Sequence, residues 1–176
     1  MTLIPAWKDG RLAPSEKLAV HREGLRHKAI SVFVTHEGQT LLQRRAAGKY
    51  HSAGLWANAC CTHPDWDEGA EACAQRRLRE ELGLQGAPLQ HRGVIEYRAD
   101  VGGGMIEHEV VDLFTAELAA RPTLAPDPEE VSETRWIGWE ALRQEVEVSP
   151  ERFTAWLRIY LAEHAALLVA QAAPGR

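Results

Sequence analysis

The chain has 176 residues, 45% of them apolar and 26% charged, with a formal net charge of −5; this is the profile of a single globular domain with a substantial core, not of a disordered or fibrous chain. The acidic balance argues against non-specific nucleic-acid binding, and no window approaches a membrane-spanning apolar run. Three cysteines, two of them adjacent at Cys60 and Cys61, make no disulfide framework, and Pro5, Lys8 and Asp9 interrupt the apolar stretch a signal peptide would need, so the expected compartment is a reducing cytoplasm.

Residues up to about 28 are expected to form an N-terminal arm ahead of the first strong pattern. From Ala29 to Gln43 apolar alternation predicts two strands joined at Glu37-Gly38, a β-hairpin. Arg44 to Lys49 is basic and loop-like; it reads either as a solvated loop or as a local cluster for a small anion. Leu55-Trp56-Ala57 leads into Asn58-Ala59-Cys60-Cys61-Thr62-His63-Pro64. If that segment is extended, Ala59, Cys61 and His63 share one face and Cys60 and Thr62 the other, which sets a thiol beside an imidazole.

The strongest helical pattern runs from Glu68 to Leu84, opened by Asp65 and Asp67 and stopped by Gly83 and Gly86. Its apolar stripe passes through Ala70, Cys73, Ala74 and Leu78, and Arg77 and Glu81 fall inside it. They form either an ordinary i,i+4 ion pair or part of a polar site on the helix face. Leu89 to Arg98 and Ile106 to Leu118 predict strands around Gly102-Gly103-Gly104. Glu107 and Glu109 share a strand face, with His108 on the other; two carboxylates so placed mark a solvated edge or require a cation or proton between them. Pro122 to Glu133 reads as a surface loop, Arg135-Trp136-Ile137 as a short strand, and Glu140 to Gln144 and Glu151 to Ala170 as helices. The last carries an apolar face through Phe153, Trp156, Leu157, Tyr160, Leu161, Ala165 and Leu168. The tail from Ala172 to Arg176 is expected to fray.

The possible metal ligands are His21, His27, His63, Glu107 and Glu109, a mixed imidazole and carboxylate set suited to Mg²⁺, Mn²⁺, Fe²⁺ or Zn²⁺. The order of these motifs resembles the type 1 isopentenyl-diphosphate isomerases, a branch of the Nudix superfamily. The resembling stretches are Glu16-Lys17 with His21 and His27, Leu41 to Ala46, Gly54-Leu55-Trp56, Asn58 to Pro64, Arg76 to Gly83, and Tyr97-Arg98 followed by Glu107-His108-Glu109. Two departures from the usual Nudix box stand out. Thr62 replaces its first glycine, and Arg77 replaces the glutamate after the arginine, so a phosphate ligand stands where hydrolases keep a metal ligand.

The resemblance implies an α+β fold, an α-β-α sandwich with a Nudix-type mixed sheet flanked by helices. It implies a 1,3-allylic proton shift converting isopentenyl diphosphate to dimethylallyl diphosphate, with Glu109 and Tyr97 on the protonating side, Cys61 exchanging the other proton and Trp156 stabilising the cation. Lys17, Arg45, Lys49 and Arg77 would bind the diphosphate. A Mg²⁺ would bridge it to Glu81 and the Cys61 backbone carbonyl, and a second ion, Mn²⁺, Mg²⁺ or Zn²⁺, would sit among the histidines, Glu107 and Glu109. The expected partner is a small diphosphate alone, with no nucleic acid or membrane, and the protein would be a monomer or weak homodimer. The alternative is a Nudix pyrophosphohydrolase, on fold analogy.

Overall fold

The computed structural model describes residues 2–168. The chain opens with β1 (Leu3–Lys8), β2 (Arg11–Glu16) and α1 (Lys17–Glu23), then β3 (Arg26–His36), β4 (Gln39–Arg45), β5 (Trp56–Asn58) and β6 (Cys60–Thr62). After α2 (Ala70–Leu82) come β7 (Leu89–Gly102), β8 (Met105–Glu117), β9 (Val131–Gly138), α3 (Trp139–Val148), α4 (Ala155–Glu163) and α5 (Ala165–Leu168). All nine strands belong to one mixed sheet. Its spine is β3, parallel to β8 and antiparallel to β1, β4 and β6.

Alternation along the strands splits the apolar residues between two cores. On one side, Ile30, Val32, Val34, Phe114 and Ala116 pack with Cys73, Ala74, Leu78 and Leu82 of α2. On the other, Ala29, Phe33, Val111 and Leu113 pack with Leu142 of α3 and with Trp156, Leu157, Tyr160 and Leu161 of α4. The sandwich of helix, sheet and helix follows from period-2 patterning in strands that are buried on both faces. Because β8 lies between β3 and β7, the solvated-edge reading of Glu107 and Glu109 is wrong.

The β3–β4 turn is Glu37-Gly38, as the sequence predicts, and β7 and β8 meet at Gly103-Gly104, both with positive φ, the conformation a two-residue hairpin turn requires. The expected N-terminal arm is instead a hairpin, β1–β2, turned at Asp9-Gly10 with φ of 50° and 75°, followed by α1. An Asp-Gly pair is a strong hairpin signal, but the flanking Pro5 and Pro14, which face each other in the register, hide the strand pattern around it.

Three helix boundaries differ from expectation. Glu68 lies outside α2: its side chain accepts from the Asp65 backbone N–H and from Arg76, which stabilises a turn before the helix starts at Ala70. The expected helix from Glu151 is broken into a 3₁₀ turn, Pro150–Arg152, then α4 and α5. Phe153 bridges to Trp56, and the Thr154 N–H donates to the Trp56 carbonyl at 3.0 Å. This pairing outside the helix pulls Phe153-Thr154 into an extended conformation, so apolar periodicity overstates the helix; the expected end at Ala170 and the tail lie outside the described residues. The helix expected over Glu140 to Gln144 is longer than predicted, since α3 runs from Trp139 to Val148.

At the other end of α2, Gly83 (φ 68°) donates to the Arg79 carbonyl and Leu84 to that of Leu78, a Schellman cap. A Cβ at Gly83 would stand 2.8 Å from the Ala125 Cβ and 3.1 Å from its backbone nitrogen. Gly83→Ala is therefore expected to destabilise the fold by about 2 kcal/mol or more, read as a lower urea midpoint with an unchanged slope.

Candidate active site

One polar cleft of about 210 Å³ opens over the face of the sheet that carries the odd-numbered residues of β8. It exceeds the roughly 150 Å³ that holds a benzene molecule, which suits a small molecule. Lys17, Arg45, Lys49, Cys61, His63, Arg77, Glu81, Tyr97, Glu107, Glu109 and Trp156 all line it. His21 and His27 lie fully buried behind it. Every residue expected at the site is thus brought to one place.

The imidazoles are oriented from outside. The Nδ1–H groups of His21 and His27 donate to the carbonyls of Lys17 and Leu25, each at 2.7 Å. A carbonyl can only accept, so the proton sits on Nδ1 and each Nε2 is left with a free lone pair. His63 Nε2 lies 3.2 Å from His27 Nε2 and 2.9 Å from Glu109 Oε1, and His27 Nε2 is 3.6 Å from the same oxygen. Ligands held about 2.1 Å from one ion stand about 3.0–3.4 Å apart, so the spacing fits a divalent cation. His21 completes this group, with ligand atoms all within 4.8 Å of one another. Burial holds His21 down to about 4, against the bond to the Lys17 carbonyl, and pushes His63 well below the usual histidine range. Both are neutral at pH 7, as metal ligation requires.

Glu107 stands slightly apart. Its nearest imidazole is His51, whose Nε2 lies 3.4 Å from Glu107 Oε1, and His21, His51 and Glu107 form a second group of potential ligands. The Tyr97 hydroxyl lies 2.8 Å from both Glu107 Oε2 and Glu109 Oε2. One phenolic proton cannot serve two carboxylates, so a second proton must be present. Burial and then the Glu109 charge push Glu107 well above the carboxylate range. For Glu109 burial pushes the same way, but the hydrogen bond from His63 and the neighbouring imidazoles outweigh it and hold the carboxyl well below that range. The consistent arrangement has protonated Glu107 donating to Tyr97 and Tyr97 donating to ionised Glu109.

Ala59 and Cys60 both join the core beneath α2, while Cys61 packs on the opposite side. The expected alternation therefore holds from Cys60 onward but not at Ala59, where a bend separates β5 from β6. Cys61 Sγ lies between Ser31 Oγ at 3.0 Å and Asn58 Oδ1 at 3.1 Å. Above it, Trp156 meets His51 edge-on at 5.9 Å, with the Arg45 guanidinium 5.2 Å from its ring.

The cationic wall is held by acids. Arg77 donates from Nε and Nη2 to Glu81 Oε1 at 3.1 and 2.8 Å and from Nη1 to Glu80 at 3.0 Å. Glu130 pairs with Lys49 and, at 3.3 Å, with Arg77. The two readings of Arg77 and Glu81 are therefore both correct: they form an i,i+4 ion pair, and that pair faces the cleft. Burial, then the Lys49 charge, lowers Lys17 to about 8. His51, Ser31 and Glu130 carry no signal in the sequence, and Asn58 enters it only as the start of the Cys/His segment, with no role attached. A histidine between Tyr50 and Ser52 carries no pattern, and Glu130 sits in an acidic loop that reads as solvated.

Glu81 is almost fully buried, and Gln43 Nε2 donates to its Oε2 at 2.9 Å while also donating to the Ala59 carbonyl. Gln43→Ala leaves both acceptors unpaired in a buried setting. A loss of about 1–3 kcal/mol is expected, measured by urea denaturation, with little change if these groups are instead well hydrated.

The NUDIX domain model matches residues 25–157. An isopentenyl-diphosphate Delta-isomerase of Cereibacter sphaeroides (strain ATCC 17025) is 64% identical over 162 residues, 92% of each chain. That of Ruegeria pomeroyi is 58% identical, covering 93% of this chain and 91% of its own. Among solved structures, DR0079 from Deinococcus radiodurans shares the fold, with a TM-score of 0.72 at 14% identity over 91% of this chain and 96% of that one. The chain belongs to the Nudix family and, within it, to the isopentenyl-diphosphate Delta-isomerases.

Proposed function

We propose that the protein converts isopentenyl diphosphate to dimethylallyl diphosphate by a 1,3-allylic proton shift, supplying isoprenoid biosynthesis. The observation that carries this reading over hydrolysis is the state of the carboxylates on α2 and in the turn before it. Glu68 and Glu80 are paired with Arg76, and Glu80 and Glu81 with Arg77. A hydrolase needs several such carboxylates free to gather ions around the bond it breaks; here two arginines engage all three, leaving one oxygen of Glu81 off the arginines, and one of the arginines faces the cleft as a diphosphate ligand.

Lys17, Arg45, Lys49 and Arg77 bind the diphosphate, the arginines through their forked donors. The hydrocarbon then extends toward Cys61, Tyr97 and Trp156. Glu109, with Tyr97 on its second oxygen, belongs to the side that protonates the terminal methylene carbon, giving a tertiary cation. Burial pushes the Cys61 thiol up, so its own proton must first pass to the ionised Glu109 side; Cys61 then takes the proton lost from the methylene nearer the diphosphate, so one proton enters substrate and one leaves. The indole face of Trp156 stabilises the cation by roughly 2 kcal/mol when water is excluded. His21, His27, His63, Glu107 and Glu109 would hold one divalent ion, Mn²⁺, Mg²⁺ or Zn²⁺, and Glu81 with the Cys61 backbone carbonyl would hold a Mg²⁺ that accompanies the diphosphate. When bound, these ions supply charge that keeps the clustered carboxylates together and offsets the diphosphate. The three free thiols support a reducing, cytoplasmic location, and no described helix is long and apolar enough to cross a membrane.

Proton NMR of isopentenyl diphosphate with the protein and Mg²⁺ in D₂O should show the methyl signals of dimethylallyl diphosphate and deuterium incorporation. Neither signal in metal-replete protein would sink the reading, and phosphate release would favour the hydrolase. Cys61→Ala should lower kcat by about 10²–10⁴-fold, whereas a hydrolase would barely respond. Chelation should abolish turnover, and His63→Ala should weaken divalent binding, followed by calorimetry, by at least about tenfold.

A further inference from the structure

The thiol of Cys61 is held by two residues that have no assigned part in the reaction. Register places Ser31 of β3 opposite Cys61 of β6, and Asn58 ends β5 three residues before Cys61. The two hydrogens of Asn58 Nδ2 serve three acceptors, the Val32 carbonyl at 2.8 Å, Ser31 Oγ at 2.9 Å and the Cys60 carbonyl at 3.2 Å, so one of these bonds is bifurcated. Two backbone carbonyls can only accept, so the amide cannot be flipped, and Oδ1 must face Cys61. With Oδ1 fixed as an acceptor 3.1 Å from Sγ, the thiol must donate its one hydrogen there. Ser31 Oγ already accepts from Asn58, and it lies 3.0 Å from a sulfur whose hydrogen is spent elsewhere. The Ser31 hydroxyl therefore donates to the sulfur.

We propose that Ser31 and Asn58 are positioning residues for Cys61, closing with it a one-directional ring in which Asn58 donates to Ser31, Ser31 to Cys61 and Cys61 to Asn58. Such rings strengthen cooperatively, since each donor is also an acceptor. Asn58 and Ser31 both lie fully buried, so water does not compete. The two partners act on different states of the sulfur. Asn58 Oδ1 orients the S–H when the proton is on Cys61. The Ser31 O–H stays on the sulfur when the proton has left, stabilising the thiolate that must receive a proton from substrate carbon. Transfer in the reverse direction breaks only the bond to Asn58; the proton moves from sulfur to carbon, and Ser31 remains in place. Ser31 does not line the cleft, so its effect reaches substrate through Cys61 alone. This rests on the isomerase reading for its kinetic consequence, but not for the ring itself.

The test combines kinetics with the Raman S–H stretch, isolated as the difference spectrum between wild type and Cys61→Ala. The wild-type band should lie at the position of a hydrogen-bonded donor. Ser31→Ala should shift it toward the free-thiol position without reaching it, because Asn58 still accepts. The same variant should lower kcat about tenfold to hundredfold, the loss of one hydrogen bond to a charged group, with KM within about threefold. Ser31→Thr restores a hydroxyl and should recover most of both. A free-thiol band in the wild type, or Ser31→Ala that moves neither band nor kcat, overturns the ring. If Ser31→Ala does not fold, the wild-type band and the threonine variant still decide. Wild-type protein that shows the bonded band but no turnover would overturn the isomerase reading and leave the ring standing.

Discussion

The register of β3 is the constraint on which the rest of the site depends. Its parallel pairing sets His27 beside Glu109 on β8, and its antiparallel pairing sets Ser31 beside Cys61 on β6. His27, Ala29, Ser31 and Phe33 share a face, so one strand delivers an imidazole to the carboxylates and a hydroxyl to the thiol. A slip of one residue would exchange that face for the one carrying Ile30, Val32 and Val34, burying the polar groups under α2 and turning aliphatics into the cleft. The apolar cores on both faces forbid the slip. Packing that has no chemistry of its own thus fixes the chemical geometry.

The same burial is costly for the groups it positions. A carboxylate or imidazole taken out of water is unfavourable unless paired, and the fold pairs nearly all of them at a distance from the reacting centre. The Lys17 and Leu25 carbonyls fix two histidines, Gln43 and Arg77 hold Glu81, and Glu130 holds Lys49 and Arg77 together against their mutual repulsion. Glu107 and Glu109 share Tyr97. What these contacts leave free, the Nε2 lone pairs and the outer oxygens of the carboxylates, is what a cation or an anionic substrate requires.

How much of this is legible in the sequence depends on the range of the signal. The β3–β4 hairpin, the β7–β8 pair, the apolar stripe of α2 and the shared face of Glu107 and Glu109 are local periodicities and can be seen directly. The motif order joins them into one site only through the family resemblance, because nothing in spacing alone brings His21 to Glu109. Features set by long-range contact are invisible: the break at Phe153-Thr154 is made by Trp56, and Glu130 becomes a site residue only because the loop before β9 returns beside Lys49. The Asp9-Gly10 hairpin is different. Its signal is present, but the prolines on either side mask it.

The two sides of the sheet also divide the work in a way that explains where the structure leaves polar atoms unmatched. Among the described residues, Arg45 Nε, His63 Nδ1, Arg135 Nε, Thr154 Oγ1, Trp156 Nε1 and the Tyr160 hydroxyl are buried without a hydrogen-bond partner. Trp156, Arg45 and His63 line the cleft, and Tyr160 packs in the same core as Trp156; the core beneath α2 contributes none of these atoms. Each unmatched group costs about 1–3 kcal/mol, which a site selected for stability alone would avoid. A carbocation tolerates no nearby water to capture it, so the walls around it must be dry, and dry walls cannot satisfy every donor at their edge. The helix α4 that closes this side therefore contributes its apolar residues and its indole at the expense of stability, while α2 keeps its ionic contacts beside the cationic wall of the cleft.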